Sequence, residues 1–294
     1  MPMLEGQVAF ITGAARGQGR SHALTLAREG ADIVALDICE DIETNPYSLA
    51  RPEDLEETRR LVEATGRRCL TMVADVRDGK AMDAAAAEAL DTFGQIDIAL
   101  GNAGIMPIRP TWEATEQEWR DTLDVNVIGV WHTCRVVIPS MMERRQGKIV
   151  LTGSTCAFKG FPNLGAYVAA KHGVNGLMRT LAVELAPWRI RVCSVNPAPV
   201  KTDMVLNDTL KTLFAGDGPP LSDEEYLAMQ GKPNLFPVVL EPSDVSNAIL
   251  YLVSDAARYV TGVALPVDAG FLEKWAVSYD MEAVANEPQP AAAV

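Results

Sequence analysis

Val8-Ala-Phe-Ile-Thr12-Gly13-Ala-Ala-Arg16-Gly17-Gln18-Gly19 runs from a short apolar block straight into a glycine-rich turn, and Ala23, Leu26 and Ala27 then mark a helix ending near Gly30. That order predicts the opening strand, turn and helix of a layered α/β sheet. Glycine lets the backbone bend sharply and approach a ligand closely. The free N–H groups and positive dipole end of the helix suit a pyrophosphate. A glycine-rich loop alone is an ordinary feature. Its place between strand and helix points to dinucleotide binding through Gly13, Arg16, Gly17, Gln18 and Gly19.

Working outward, residues 32–37 read as the next strand, and its last residue, Asp37, lies 20 positions after Gly17 (37 − 17). A carboxylate there accepts hydrogen bonds from an adenosine ribose and repels a 2′-phosphate, so Asp37, followed by Ile38, argues for NAD over NADP. Arg16 is a contrary cue, since a basic residue beside the second glycine can meet that phosphate. Residues 41–52 form an insertion where a tight strand-to-helix turn would suffice, placed to fold over the cofactor. A helix from about residue 53 stops at Gly66, and a strand over 69–74 leads to Asp75 and Val76, where Asp75 faces the adenine amino group. After a helix over 81–93, a buried strand over 96–100 ends in Gly101-Asn102-Ala103-Gly104, small residues that suit close cofactor approach. A long helical stretch, 116–142, is expected to break near Pro139. It contains Asn126, which must be hydrogen-bonded if buried.

A strand over 148–152 puts Ser154 just past its carboxyl end, and a helix over 166–185 carries Tyr167 and Lys171 on one face. A positive charge about 5 Å from a phenol, at an effective dielectric near 20, favours the phenolate by roughly 3 kcal/mol, or about two pKa units. Such a tyrosine could work as a general acid or base, although this pair at four-residue spacing also arises by chance on solvated faces. A strand over 191–195 leads to Pro197, Val200 and Thr202. Residues 203–240 read as a lid over the substrate, with one short helix near Leu210, Leu213 and Phe214. A helix over 243–252 and a strand over 265–267 complete a single domain spanning 1–270. The polar tail, 271–294, reads as a disordered terminus or as an arm packed on a neighbouring subunit. About seven strands and six helices alternate without repeats, which predicts an α/β fold with a doubly wound parallel sheet and helices on both faces.

The chain has 294 residues, 48% of them apolar, enough for a sizeable core. Its net charge of −13 argues against nucleic acid as a partner. No apolar run has the ~18 residues of a membrane span and no leader is evident, so a cytoplasmic protein without membrane contact is expected. Cys39, Cys69, Cys134, Cys156 and Cys193 lack paired spacing and read as reduced thiols, with Cys156 close enough to Ser154 to line the same site. His22, His132 and His172 have no metal-ligand spacing, so no metal site is expected.

These motifs resemble the short-chain dehydrogenase/reductase family from Val8 to Gly270. Thr12-Gly-x-x-x-Gly-x-Gly19 matches its cofactor loop, Asn102-Ala103-Gly104 its sheet motif, and Pro197 to Thr202 its nicotinamide-contacting loop. Asn126, Ser154, Tyr167 and Lys171 match its catalytic tetrad, with Ser154 and Tyr167 at the usual interval of 13 (167 − 154). Gly101 and Ala198 depart from the common asparagine and glycine. Within the family, Gly17-Gln-Gly-Arg-Ser-His-Ala23 and the insertion running into Pro52-Glu-Asp-Leu look like the mycofactocin-coupled, carveol dehydrogenase-like branch.

The resemblance implies a Rossmann-like fold and reversible hydride transfer between NAD and a secondary alcohol or ketone. It implies that Tyr167 moves the hydroxyl proton and Ser154 holds the substrate oxygen. Lys171 would lower the tyrosine pKa and hold the nicotinamide ribose, while Asn126 would hold a water that links Lys171 to solvent. The branch implies a tightly held NAD recycled in place by mycofactocin, and the family implies a homo-oligomer, a dimer or tetramer paired through helices near 116–138 and 166–185. Met106, Phe158, Phe161, Met204, Leu213 and Phe214 suggest an apolar pocket for a terpenoid- or steroid-like alcohol, and each could equally be core. The rival readings are a non-catalytic NAD-sensing regulator, an NADP-linked carbonyl reductase and a sugar epimerase.

Overall fold

A computed structural model describes residues 2–216 and 218–274, so most of the tail reading, from residue 275 on, lies outside the described residues. In chain order, β1 (Val8–Thr12) passes through the glycine turn into α1 (Gly17–Arg28), followed by β2 (Asp32–Asp37), α2 (Pro52–Glu63) and β3 (Cys69–Val73). Then come α3 (Gly79–Phe93), β4 (Ile98–Gly101), α4 (Glu116–Leu123), α5 (Gly129–Arg144) and β5 (Gly147–Thr152). The remainder is α6 (Gly165–Leu185), β6 (Ile190–Pro197), α7 (Asp208–Ala215), α8 (Asp223–Gly231), α9 (Pro242–Val253) and β7 (Ala264–Val267).

The seven strands form one sheet in the order β3-β2-β1-β4-β5-β6-β7. Every adjacent pair is parallel. A central parallel strand is covered on both faces, which is why β1 is apolar at nearly every position and buried throughout. Alternate side chains divide the core. Ala9, Ile11 and Ile33 pack with Leu26 and Ile249 of α1 and α9. Phe10, Val34 and Leu36 pack against Met82, Val137 and Met178 of α3, α5 and α6. His22 is fully buried between α1 and α9, its Nδ1 2.8 Å from the Ser246 hydroxyl, and burial pulls its imidazole down to about 3. The strand order reverses between β1 and β4, and the carboxyl ends of these strands open the crevice where such sheets take ligands.

Three departures from the sequence reading have physical causes. Pro139 lies inside α5 without ending it. It removes one N–H donor, but buried Val130, Cys134, Val137 and Met141 hold the helix on the sheet. The irregularity falls earlier, in a π-helical turn over Asp124–Ile128 that contains Asn126. Residues 203–240 hold two helices rather than one, and the second begins at a Ser222–Glu225 capping box. Phe271, read as the start of the tail, instead stacks on Phe161 with ring centroids 5.6 Å apart.

Candidate active site

Two cavities meet at the carboxyl edge of the sheet. The first, about 150 Å³, is lined by the glycine turn, Asp37, Ile38, Asp75, Val76 and the loop Asn102-Ala103-Gly104. Gly13 has φ +67°, and a Cβ there would stand 2.9 Å from the Ala103 backbone. A Cβ on Gly19 would fall 2.0 Å from the Gly13 carbonyl oxygen. The turn is therefore closed to side chains at both points. Asn102 pins it, its amide donating to the carbonyls of Thr12 (3.0 Å) and Gly13 (3.2 Å).

Asp37 ends β2 on the cavity wall and accepts from the Ala15 N–H at 3.0 Å. Burial raises its carboxyl above the ordinary range, against backbone hydrogen bonds and the Arg16 charge that pull it down. Arg16 is spent elsewhere than the 2′-phosphate cue suggested. Its guanidinium donates to the Ser48 carbonyl of the insertion and lies 3.3 Å from the Asp203 carboxylate. Asp75 borders the cavity, but its carboxylate accepts from the Arg77 N–H (2.9 Å) and Nε (2.8 Å), so its expected pairing with adenine competes with a partner already in place.

The cavity also shows what a ligand must supply. The Gln18 Oε1 and the Tyr47 hydroxyl are buried on its wall without hydrogen-bond partners among the described residues. Unpaired buried polar atoms are costly, and two of them on residues that border one cavity fit a polar cofactor. Tyr47, in the insertion, escaped the sequence reading. Its only cue was an aromatic residue in a polar loop.

The second cavity, about 400 Å³, shares Gln18, Asn102, Gly104, Thr202 and Met204 with the first. Its inner wall carries Ser154, Tyr167 and Lys171, and Pro197 and Val200 fall on this cavity rather than the first. Ser154, just past β5, accepts at Oγ from the Cys156 N–H (3.1 Å) and donates its own N–H to Asn196 Oδ1 (3.2 Å). Lys171 Nζ donates to the Thr152 carbonyl at 2.7 Å and stands 5.4 Å from the Tyr167 ring centroid. Burial pushes the Tyr167 phenol above its ordinary value, with the Ser154 hydroxyl pulling the other way. Burial also pulls Lys171 down to about 8. The expected depression of the tyrosine by its lysine is thus absent from this structure. Desolvation penalises both charged forms, and the lysine's proton is directed at Thr152.

Asn126 lines neither cavity. Its side chain donates to the Ile105 carbonyl (2.8 Å) and accepts from the Ile105 N–H (3.0 Å), so both amide atoms are engaged in fixing the loop after β4. Each of the two atoms keeps one further hydrogen-bonding position. Five of the six apolar residues named for the pocket line it; Phe158 is 40% exposed and does not. Cys156 lines it too. Phe271 and Tyr226 were missed, because they reach the cavity from chain segments far from the motifs. Among the described residues no group of three His, Cys, Asp or Glu side chains is placed to hold a metal, and no helix is long and apolar enough to cross a membrane.

A family profile described as enoyl-(acyl carrier protein) reductase matches residues 13–272. The chain belongs to the short-chain dehydrogenase/reductase family. Among its relatives in that family, (-)-trans-carveol dehydrogenase of Rhodococcus erythropolis is 45% identical over 273 residues, covering 92% of this chain and 99% of the relative. The crystal structure of carveol dehydrogenase from Mycobacterium avium in complex with NAD superposes with a TM-score of 0.91 at 47% identity, over 93% of this chain and 100% of that one. A short-chain dehydrogenase from Mycobacterium paratuberculosis bound to NAD gives a TM-score of 0.84 at 39% identity, over 92% and 100% of the two chains. The carveol dehydrogenase-like branch is thus where this member of the family sits.

Proposed function

We propose that this short-chain dehydrogenase oxidises an apolar, terpenoid- or steroid-like secondary alcohol to its ketone, and runs the reverse reaction. The enzyme is an NAD-dependent oxidoreductase acting on CH–OH groups. One observation carries the finer reading: Ser154, Tyr167 and Lys171 meet on the wall of an apolar cavity that opens into the cofactor cavity. Bound NAD would supply the acceptor for the hydride released from the carbinol carbon. Gly13, Gly17 and Gly19 would admit its pyrophosphate, Asp37 its adenosine ribose, and Gln18 and Tyr47 would receive hydrogen bonds from it or give them.

In this reading Ser154 fixes the substrate oxygen by a hydrogen bond and Tyr167 takes the hydroxyl proton. Lys171 in its charged form favours the phenolate, an effect that works against the burial described above. Asn126 positions rather than reacts, by holding Ile105 and the loop that borders both cavities. Leu213, Phe214, Met106 and Phe161 exclude water and accept an apolar ring system. Asp37 disfavours the NADP-linked alternative by charge repulsion. The test is reduced-nicotinamide absorbance with NAD or NADP and a panel of cyclic secondary alcohols. The proposal expects turnover with NAD on apolar alcohols, and turnover with NADP alone would refute it.

A second reading rests on the insertion, residues 41–52, which is fastened at several points. Thr44 donates to Asp121 (2.8 Å), Thr209 at the start of α7 donates to the Pro46 carbonyl (2.9 Å), and Arg16 reaches Ser48. Held so over the cavity, the loop would slow exchange of NAD and leave its recycling to an external redox partner, mycofactocin. Mass spectrometry of the purified protein should then find NAD bound without any being added; nucleotide-free protein would refute slow exchange. A homo-oligomer, dimer or tetramer, in the cytoplasm completes the proposal. Its support is the exposed Trp131 of α5 and Val183 of α6, on the helices expected to pair.

A further inference from the structure

The lid over the substrate cavity is not uniformly apolar. Leu210, Leu213 and Phe214 of α7 present hydrocarbon to the cavity, as a plain terpene alcohol would require. Helix α8 presents Tyr226 and Gln230 instead. They are four residues apart, so they share one face of the helix. Tyr226 is 1% exposed and packs edge-on against Phe214, ring centroids 5.8 Å apart. Burial raises its phenol above the ordinary value. The hydroxyl is not among the fully buried polar atoms that lack a partner, so it keeps access to the cavity that the residue lines.

The helix is also held firmly in this orientation. Its first turn is closed by the Ser222–Glu225 capping box, and Lys211 of α7 reaches Asp223 at 2.9 Å. Tyr226 and Gln230 therefore line the cavity from the lid, in the same cavity that Ser154 and Tyr167 line. Lys171 is the one charged residue among the described residues lining this cavity, and its ammonium donates to Thr152. A carboxylate at the lid end would find no counter-charge. A neutral oxygen would find a hydroxyl and an amide.

We propose that Tyr226 and Gln230 form a second polar subsite, which reads a hydroxyl or carbonyl oxygen carried by the substrate far from its reacting carbinol. The substrate class is then a cyclic or polycyclic apolar secondary alcohol with a second, neutral oxygen function. This rests on the dehydrogenase reading above and narrows it.

The test uses two matched pairs that span different lengths, assayed on the NAD-loaded full chain. One pair is para-isopropylcyclohexanol and its analogue with a hydroxyl on the isopropyl carbon. The other is a hydroxysteroid with and without a carbonyl on the ring farthest from the hydroxyl. In at least one pair the oxygenated member should show kcat/KM about tenfold higher or more. Tyr226→Phe, which keeps the packing on Phe214, should remove that excess, bringing the two members of a pair within about twofold of each other. Gln230→Leu should reduce it in the same direction. Equal kcat/KM within both pairs, or an equal loss on both members in Tyr226→Phe, would overturn the subsite. If none of the alcohols turns over, the dehydrogenase reading fails on its own, and equilibrium binding of the same pairs to wild type and Tyr226→Phe still decides the subsite by the same ratios.

Discussion

The cofactor cavity is built around the glycine turn and the loops that follow β1, β2 and β4, whereas the substrate cavity is closed by side chains of α7, α8 and Phe271, drawn from segments distant in sequence. The first region has little freedom. A Cβ on Gly19 would meet the Gly13 oxygen at 2.0 Å, so the glycine turn admits only one solution. The second is a set of interchangeable apolar surfaces, where volume and a few polar atoms carry the selectivity. The contrast predicts opposite responses to substitution.

The largest effect should come from the rigid side. Gly19→Val should weaken NAD binding by more than about 100-fold, read by calorimetry, because the turn must open to admit the side chain. Retained affinity would break the comparison. Next is Lys171→Met, for which kcat should fall by about 100-fold or more.

Lys171→Met should also change the pH dependence of folding. The folded-state pKa of Lys171 is lowered to about 8. Between about pH 8 and pH 10.4 the unfolded state therefore binds the extra proton, and Lys171 contributes stability that rises with pH through that window. Urea titrations of the NAD-free protein should show a rise in the wild type that shrinks in Lys171→Met. A smaller change is expected at the ribose contact, where Asp37→Asn should cut the preference for NAD over NADP by roughly ten- to 100-fold in kcat/KM. The smallest belongs to the lid. Leu213→Ala should raise KM for an apolar alcohol less than about tenfold and leave kcat almost unchanged, since it thins a wall that adjusts.

The same contrast explains what could be read from sequence. Strands such as Val8–Thr12 and the turn after them were legible because parallel strands need unbroken apolar runs and close approach needs glycine. Ser154, Tyr167 and Lys171 were legible as a group, and they do share a wall. The state of that group was not. A helical spacing of four says nothing of depth, and burial reversed the expected direction of the Tyr167 shift. Asn126 was readable as a buried amide needing partners, but not that Ile105 would take both its atoms. Tyr47, Tyr226 and Phe271 reach their cavities only through tertiary folding, which local pattern does not encode.

The account stands most directly on Tyr167. The decisive measurement is the rate of hydride transfer from a cyclic apolar alcohol to NAD in Tyr167→Phe, followed by reduced-nicotinamide absorbance alongside NAD affinity. The variant should bind NAD as the wild type does and transfer hydride about 10²- to 10⁴-fold more slowly. Transfer within about twofold of wild type, in a folded variant that binds NAD, would contradict the assignment of Tyr167 as the group that moves the proton.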